Sequence, residues 1–117
     1  MKRLSSILFV VLRVVAGLLF ACHGVQKLFG LLGGHRVVLQ SRLGAAGIIE
    51  LTCGILIASG IPVVTPVAAL LATAEMAFAY STVHVHRGLW PIQNGGELAL
   101  LYGSIFLYIA ARGGRAA

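Results

Sequence analysis

Acidic residues are nearly missing from this chain. Aspartate is absent, and the three carboxylates are Glu50, Glu75 and Glu97. Charged residues make up only 10% of the 117 residues, against 59% hydrophobic. A soluble globular domain carries about a quarter charged residues, so that class is excluded. Cysteine is scarce too: Cys22 and Cys53 lie in apolar surroundings. They make neither a disulfide framework nor a zinc-ligand spacing, and read as packed thiols. Cys-x-x-Cys and a dinucleotide-binding glycine fingerprint are both missing. No dense basic run occurs, so the net charge of +6 does not point to nucleic acid. It reflects Lys and Arg at the ends of apolar segments, where they meet lipid headgroups.

What is present in quantity is apolar sequence. Four stretches stand out, roughly 5–23, 43–60, 63–83 and 96–111. Each is about as long as a bilayer-crossing helix needs. Backbone polar groups in lipid must be satisfied internally, so helices are expected. The expectation is an all-α, integral membrane four-helix bundle, residues 1–117 forming one four-span domain with both termini on the same side. Lys2 and Arg3 before an apolar run resemble a signal peptide, but Arg13 inside the run argues for a retained first span. Gly60 suits the end of the second span and Pro62 the start of the third. The terminal side carries Lys2, Arg3, Arg112 and Arg115. Two longer loops, about 24–42 and 84–95, carry Lys27, Arg36, Arg42 and Arg87 on the other side. The counts balance; charges tight against the first span favour cytoplasmic termini. Trp90-Pro91 reads as an interfacial anchor followed by a break.

Charges in hydrocarbon are costly and usually mark a protein interior or a wet cavity. At about 100° per residue, Arg13, Gly17, Phe20, Gly24 and Lys27 share one stripe of the first helix, with His23 at its margin. Ala46, Gly47, Glu50, Cys53, Gly54 and Ile57 share a stripe of the second. Ala68, Ala72, Glu75, Ala79 and Thr82 align on the third, and Glu97, Leu101, Ser104 and Tyr108 on the fourth. Small residues beside the charges let helices approach closely. The expected site is a polar pocket opening towards the long loops. Glu50 and Glu75 are its interior candidates for catalysis, with Arg13 as a deep counter-charge paired to one of them. His23, Lys27, His84 and His86 crowd its mouth, and Glu97 sits at the rim, in a helix first turn that suits a carboxylate. A metal is not expected, because the Glu-x-x-His spacing of bundle metal sites is missing.

These residues carry a resemblance. Glu75-Met76-Ala77, Ala79-Tyr80, His84, Gly88, Trp90-Pro91, Asn94-Gly95-Gly96-Glu97 and Leu101-Tyr102 resemble the DoxX family. Arg13, Gly17, His23-Gly24-x-x-Lys27 and Gly47-x-x-Glu50-x-x-x-Gly54 fit it as well. The likeness covers nearly the whole chain. It departs at His86, where relatives often have proline, and in the short tail Gly113-Gly114-Arg115-Ala116-Ala117. The resemblance implies a four-helix protein of the bacterial inner membrane, described in the family as an oxidoreductase or a subunit of an oxidoreductase complex. Related proteins form part of a thiosulfate:quinone oxidoreductase, and others are linked to membrane complexes for thiol and oxidative stress.

The expected function is therefore a redox subunit that binds a quinone or a small thiol or sulfur compound. Arg13, His23, Lys27 and Tyr108 would donate hydrogen bonds, while Glu50 and Glu75 would relay protons. Electrons would come from a partner protein or from the ligand. The alternatives are a non-catalytic membrane scaffold and a small proton-coupled transporter. Besides lipid, other membrane or redox proteins are the expected partners, and small-residue faces allow a homo-oligomer.

Overall fold

The computed structural model describes residues 1–113. Arg115, counted above with the terminal side, lies outside the described residues. The backbone is helical, with no strand among the described residues. In chain order the helices are α1 (Lys2–Phe29), α2 (Arg42–Ser59), α3 (Val64–Ala79), α4 (Pro91–Asn94) and α5 (Glu97–Arg112). A π-turn (Tyr80–His84) and a 3₁₀ turn (Val85–Arg87) extend α3. Three helices are long and apolar enough to cross a membrane: Lys2–Phe29, Arg42–Ser59 and Val64–Arg87. At 16 residues, α5 spans about 24 Å, somewhat less than a typical hydrocarbon core.

Several boundaries differ from expectation, each for a local reason. The first helix runs on through Gly24 to Phe29, because Gly24 is packed against α2 and no residue breaks the helix before Gly30. Gly30 caps it in the left-handed conformation, its N–H bonded to Gln26 O. The second helix is capped at its start by Ser41, whose side chain accepts from Gly44 N at 3.1 Å, and at its end, as expected, by Gly60, φ 71°. Pro62 lies in the turn ahead of α3 rather than in its first turn. The second long loop is mostly structured, as the π-turn, the 3₁₀ turn and α4, with Pro91 in the first turn of α4.

Glycine sets the tightest packing. A Cβ on Gly54 would lie 2.5 Å from Gly17 O, and one on Gly24 would lie 2.5 Å from Leu51 N. The α1 and α2 backbones are therefore in direct contact, the geometry of small-residue membrane interfaces. The next neighbours in the bundle are α3 on α2 and α5 on α3. Between α1 and α5 the backbones meet little, and rings bridge the seam: Phe20 against Phe106 at 4.7 Å and Phe9 against Tyr108 at 5.9 Å. Phe20, Ile57, Ala69, Ala72, Phe106 and Ile109 are the centre of the core. The outer surface is equally apolar: Ile7, Leu8, Val11, Val15, Leu18 and Leu19 of α1 are about half exposed. A continuous apolar exterior of this kind is stable against lipid, not water. The molecule is a membrane protein. Arg112, 4.1 Å above the Phe9 ring, brings the N-terminal part of α1 and the C-terminal end of α5 to one side of the bundle.

Candidate functional site

The site forms where Gly24 and Gly47 let α1 and α2 close up. One turn beyond Gly24, Lys27 reaches across to Glu50. Its Nζ lies 2.6 Å from Oε1 and 2.7 Å from Oε2. Glu50 is only 2% exposed. The Lys27 side chain is 27% exposed, so the pair is open on the lysine side alone. Glu75 comes from α3 and lines the same cavity as Glu50. Glu75 Oε1 is buried without a hydrogen-bond partner among the described residues.

These three groups line one wall of a cavity of about 400 Å³. Phe20, His23 and Tyr102 line another part of it. The His23 ring meets Tyr102 edge-on, at 5.7 Å and 87°. Tyr102 stacks on Phe106 at 5.5 Å. His84 and Arg87 are at the loop end, delivered by the two turns that follow α3. His84 Nδ1 is 3.3 Å from Asn94 O.

Asn94 holds that end together. It is 2% exposed. Its Nδ2 donates to the Tyr80 hydroxyl (3.0 Å) and to Gly88 O (3.2 Å), and its Oδ1 accepts from Gly96 N (2.8 Å). Gly96 must be glycine for this knot to close, since a Cβ there would lie 2.6 Å from the Tyr80 ring.

The expected site residues fall into two groups. Glu50, Glu75, Lys27 and His23 come together at the cavity. Arg13, Glu97 and Tyr108 do not line it. Arg13 makes no ion pair with Glu50 or Glu75; its Nη1 donates to Ile57 O (3.0 Å) and Ala58 O (2.5 Å). It therefore caps the last turn of α2, where carbonyls lack helical partners. Tyr108 is at the terminal end, accepting from Arg112 Nη1 at 3.0 Å and lining a separate apolar cleft beside Phe9. Glu97 is exposed in the first turn of α5. The stripe Glu97, Leu101, Ser104 and Tyr108 faces outward, and α5 buries Ala99, Phe106 and Ile109 instead. Thr82 is exposed as well, because the π-turn adds a residue per turn and rotates the chain after Ala79. His86 is exposed and outside the cavity lining. Tyr102 and Asn94 were not among the expected site residues. A signal for Tyr102 was present: Ala99, Tyr102, Phe106 and Ile109 recur at helical spacing. Asn94 entered only as part of the family resemblance, and no periodicity pointed to its bonds with Tyr80, Gly88 and Gly96.

No group of three or more His, Cys, Asp and Glu side chains capable of holding a metal ion occurs among the described residues.

The DoxX family profile matches residues 8–85, which include Lys27, Glu50 and Glu75. The chain belongs to the DoxX family. An uncharacterized protein of Haemophilus influenzae is 40% identical over 109 residues, covering 87% of this chain and 80% of that one. No solved structure matches. In this DoxX chain the family match takes in the Lys27–Glu50–Glu75 wall but stops short of Asn94 and Tyr102. The cavity can bind a small molecule with a polar head: its lining offers Lys27 and Arg87, two carboxyls, the imidazoles of His23 and His84 and the Tyr102 phenol within an apolar bundle.

Proposed function

We propose that this DoxX protein is a subunit of a membrane oxidoreductase complex and binds a quinone or a small thiol or sulfur redox compound in the intramembrane cavity. The observation that carries this reading is the Lys27–Glu50–Glu75 cluster, set in a cavity also lined by His23 and Tyr102. A redox ligand whose electron transfer is coupled to protons needs an apolar slot, hydrogen-bonding groups at its polar atoms and carboxyls that exchange protons. The cavity has all three. Glu50 and Glu75 act as the proton-exchanging pair, and His23, Lys27 and Tyr102 orient the ligand. Electrons are exchanged with a partner protein. We place residues 1–117 as one four-span domain in the bacterial cytoplasmic membrane, with the termini in the cytoplasm.

Glu50→Gln and Glu75→Gln are expected to abolish quinone-linked turnover in membranes while the folded protein remains extractable. Full turnover in both variants overturns the assignment. The scaffold reading rests on the same cluster serving as packing alone. It predicts altered recovery of a complex with no ligand titration. Proton flux driven by substrate in liposomes would favour transport instead.

A further inference from the structure

The terminal end of the bundle carries charge of one sign. Lys2, Arg3 and Arg112 stand there, while Glu50, Glu75 and Glu97 all lie in the other half. No Asp or Glu side chain among the described residues accompanies the three cations. The seam between α1 and α5 also opens at this end. Rings bridge it in place of backbone contact: Tyr108 meets Phe9 edge-on at 5.9 Å. The seam holds a cleft of about 330 Å³, whose α1 wall includes Leu4, Leu8 and Leu12. These three recur every fourth residue, so they make one apolar track about 12 Å long down the helix. Leu8 is 57% exposed, which leaves the track open to lipid. A second cleft, of about 590 Å³, adjoins the first; Lys2, Ser5, Ser6 and Arg112 line it, and Ser5 and Arg112 line both. Arg112 is held over the Phe9 ring at 4.1 Å, and its Nη1 donates to the Tyr108 hydroxyl at 3.0 Å. An arginine held this way has its guanidinium in place before any ligand arrives.

We propose that the paired clefts form a site for an anionic phospholipid. Its phosphate lies against Lys2 and Arg112, beside the Ser5 hydroxyl, and one acyl chain runs along Leu4, Leu8 and Leu12. Both parts of such a lipid are matched: the apolar track takes the chain, and the cations take the phosphate. Basic pockets between membrane helices bind anionic headgroups for this reason. Arginine suits a phosphate through its planar fork of N–H donors. A zwitterionic lipid brings its own ammonium against the same basic cluster and loses part of that attraction. The site shares no lining residue with the Lys27–Glu50–Glu75 cavity, so it stands whatever ligand that cavity takes. The preference expected from two basic side chains at the headgroup is on the order of tenfold in affinity.

The test uses the full-length protein in detergent micelles. Native mass spectrometry gives dissociation constants for dioleoyl phosphatidylglycerol and for the phosphatidylcholine with the same chains. The phosphatidylglycerol is expected to bind about tenfold tighter. In Lys2→Gln/Arg112→Gln that preference should fall towards one. In Arg36→Gln/Arg42→Gln, which loses two charges at the loop end, it should stay. Leu8→Trp, at a half-exposed position, fills the track and should weaken phosphatidylglycerol binding several-fold. Glycerol 3-phosphate at equal concentration should not displace the lipid. Equal binding of the two lipids overturns the proposal, as does a preference that survives in folded Lys2→Gln/Arg112→Gln or falls equally in the loop-side variant. Unchanged affinity in Leu8→Trp takes the chain out of the cleft and overturns it too. Displacement by glycerol 3-phosphate marks a site for a free anion, which also overturns it. If the terminal-side double variant does not fold, the wild-type ratio and Leu8→Trp decide.

Discussion

At the scale of single residues, the Lys27–Glu50 pair is asymmetric, and its two halves should respond differently to mutation. Glu50 is 2% exposed, whereas the Lys27 side chain is 27% exposed and close to the cavity mouth. Lys27→Met strands a buried carboxylate, and breaking a buried pair costs roughly 3–5 kcal/mol. Glu50→Gln leaves a lysine that can extend its ammonium towards the mouth, at a cost of about 1 kcal/mol. The double variant Lys27→Met/Glu50→Gln should recover most of the loss. Thermal unfolding of the purified protein in detergent checks the order, and equal losses in both single variants would contradict it. Arg13 behaves as a cap. Arg13→Met removes two charge-assisted bonds to Ile57 O and Ala58 O, and should destabilise by on the order of 2–3 kcal/mol. Ligand affinity should stay unchanged, since Arg13 does not line the cavity. A matched loss of affinity in folded Arg13→Met would restore it to the site.

At the scale of elements, the stripes of α1 and α2 were legible in the sequence because charge and glycine mark the same face. Arg13, Gly17, Phe20 and Gly24 are all buried, as are Gly47, Glu50, Cys53, Gly54 and Ile57. The stripe of α5 was not legible from its charge. Glu97 stands in the first turn, where a carboxylate is stabilised by the helix N-terminus in any orientation, so it does not report the inward face. Arg13 misleads for a related reason. The sequence shows three carboxylates as partners, but the acceptors Arg13 meets are two carbonyls in the last turn of α2. Chain ends of helices carry partial charge that a list of residues does not display. The turns after α3 depend on Asn94, and there the prediction is sharp. Asn94→Ala removes three hydrogen bonds that tie Tyr80, Gly88 and Gly96. We expect a loss of about 2–4 kcal/mol and faster hydrogen exchange confined to residues 80–96. Gly54→Ala should act elsewhere, forcing α1 and α2 apart with a cost of about 1–3 kcal/mol and no change in exchange of that segment.

At the scale of the whole molecule, the charges are arranged along the bundle axis, and the structure changes how they count. From sequence alone Lys27 counts with the loops, which balances the two ends. The helix α1 in fact continues to Phe29, and Lys27 spends its charge on buried Glu50. That leaves Arg36, Arg42 and Arg87 on the loop side, with Arg42 set over the Phe78 ring. The terminal side keeps Lys2, Arg3 and Arg112, and all three glutamates lie in the other half. The named residues number three on each side, so the count does not decide; basic residues tight against the first span are what support the proposal of cytoplasmic termini. The loop end of the cavity, at His84, Arg87 and Gly95, would then face outward, in the loop segment that also carries Trp90 and Ile92. Ile92 is 80% exposed, which makes it a clean reporter. Cysteine introduced by Ile92→Cys should react with a membrane-impermeant maleimide in intact cells. A fluorescent protein fused to the C-terminus should fluoresce, and alkaline phosphatase fused there should be inactive. Protection of Ile92→Cys together with an active phosphatase fusion would invert the topology. Glu50 and Glu75 would then be reached from the cytoplasm.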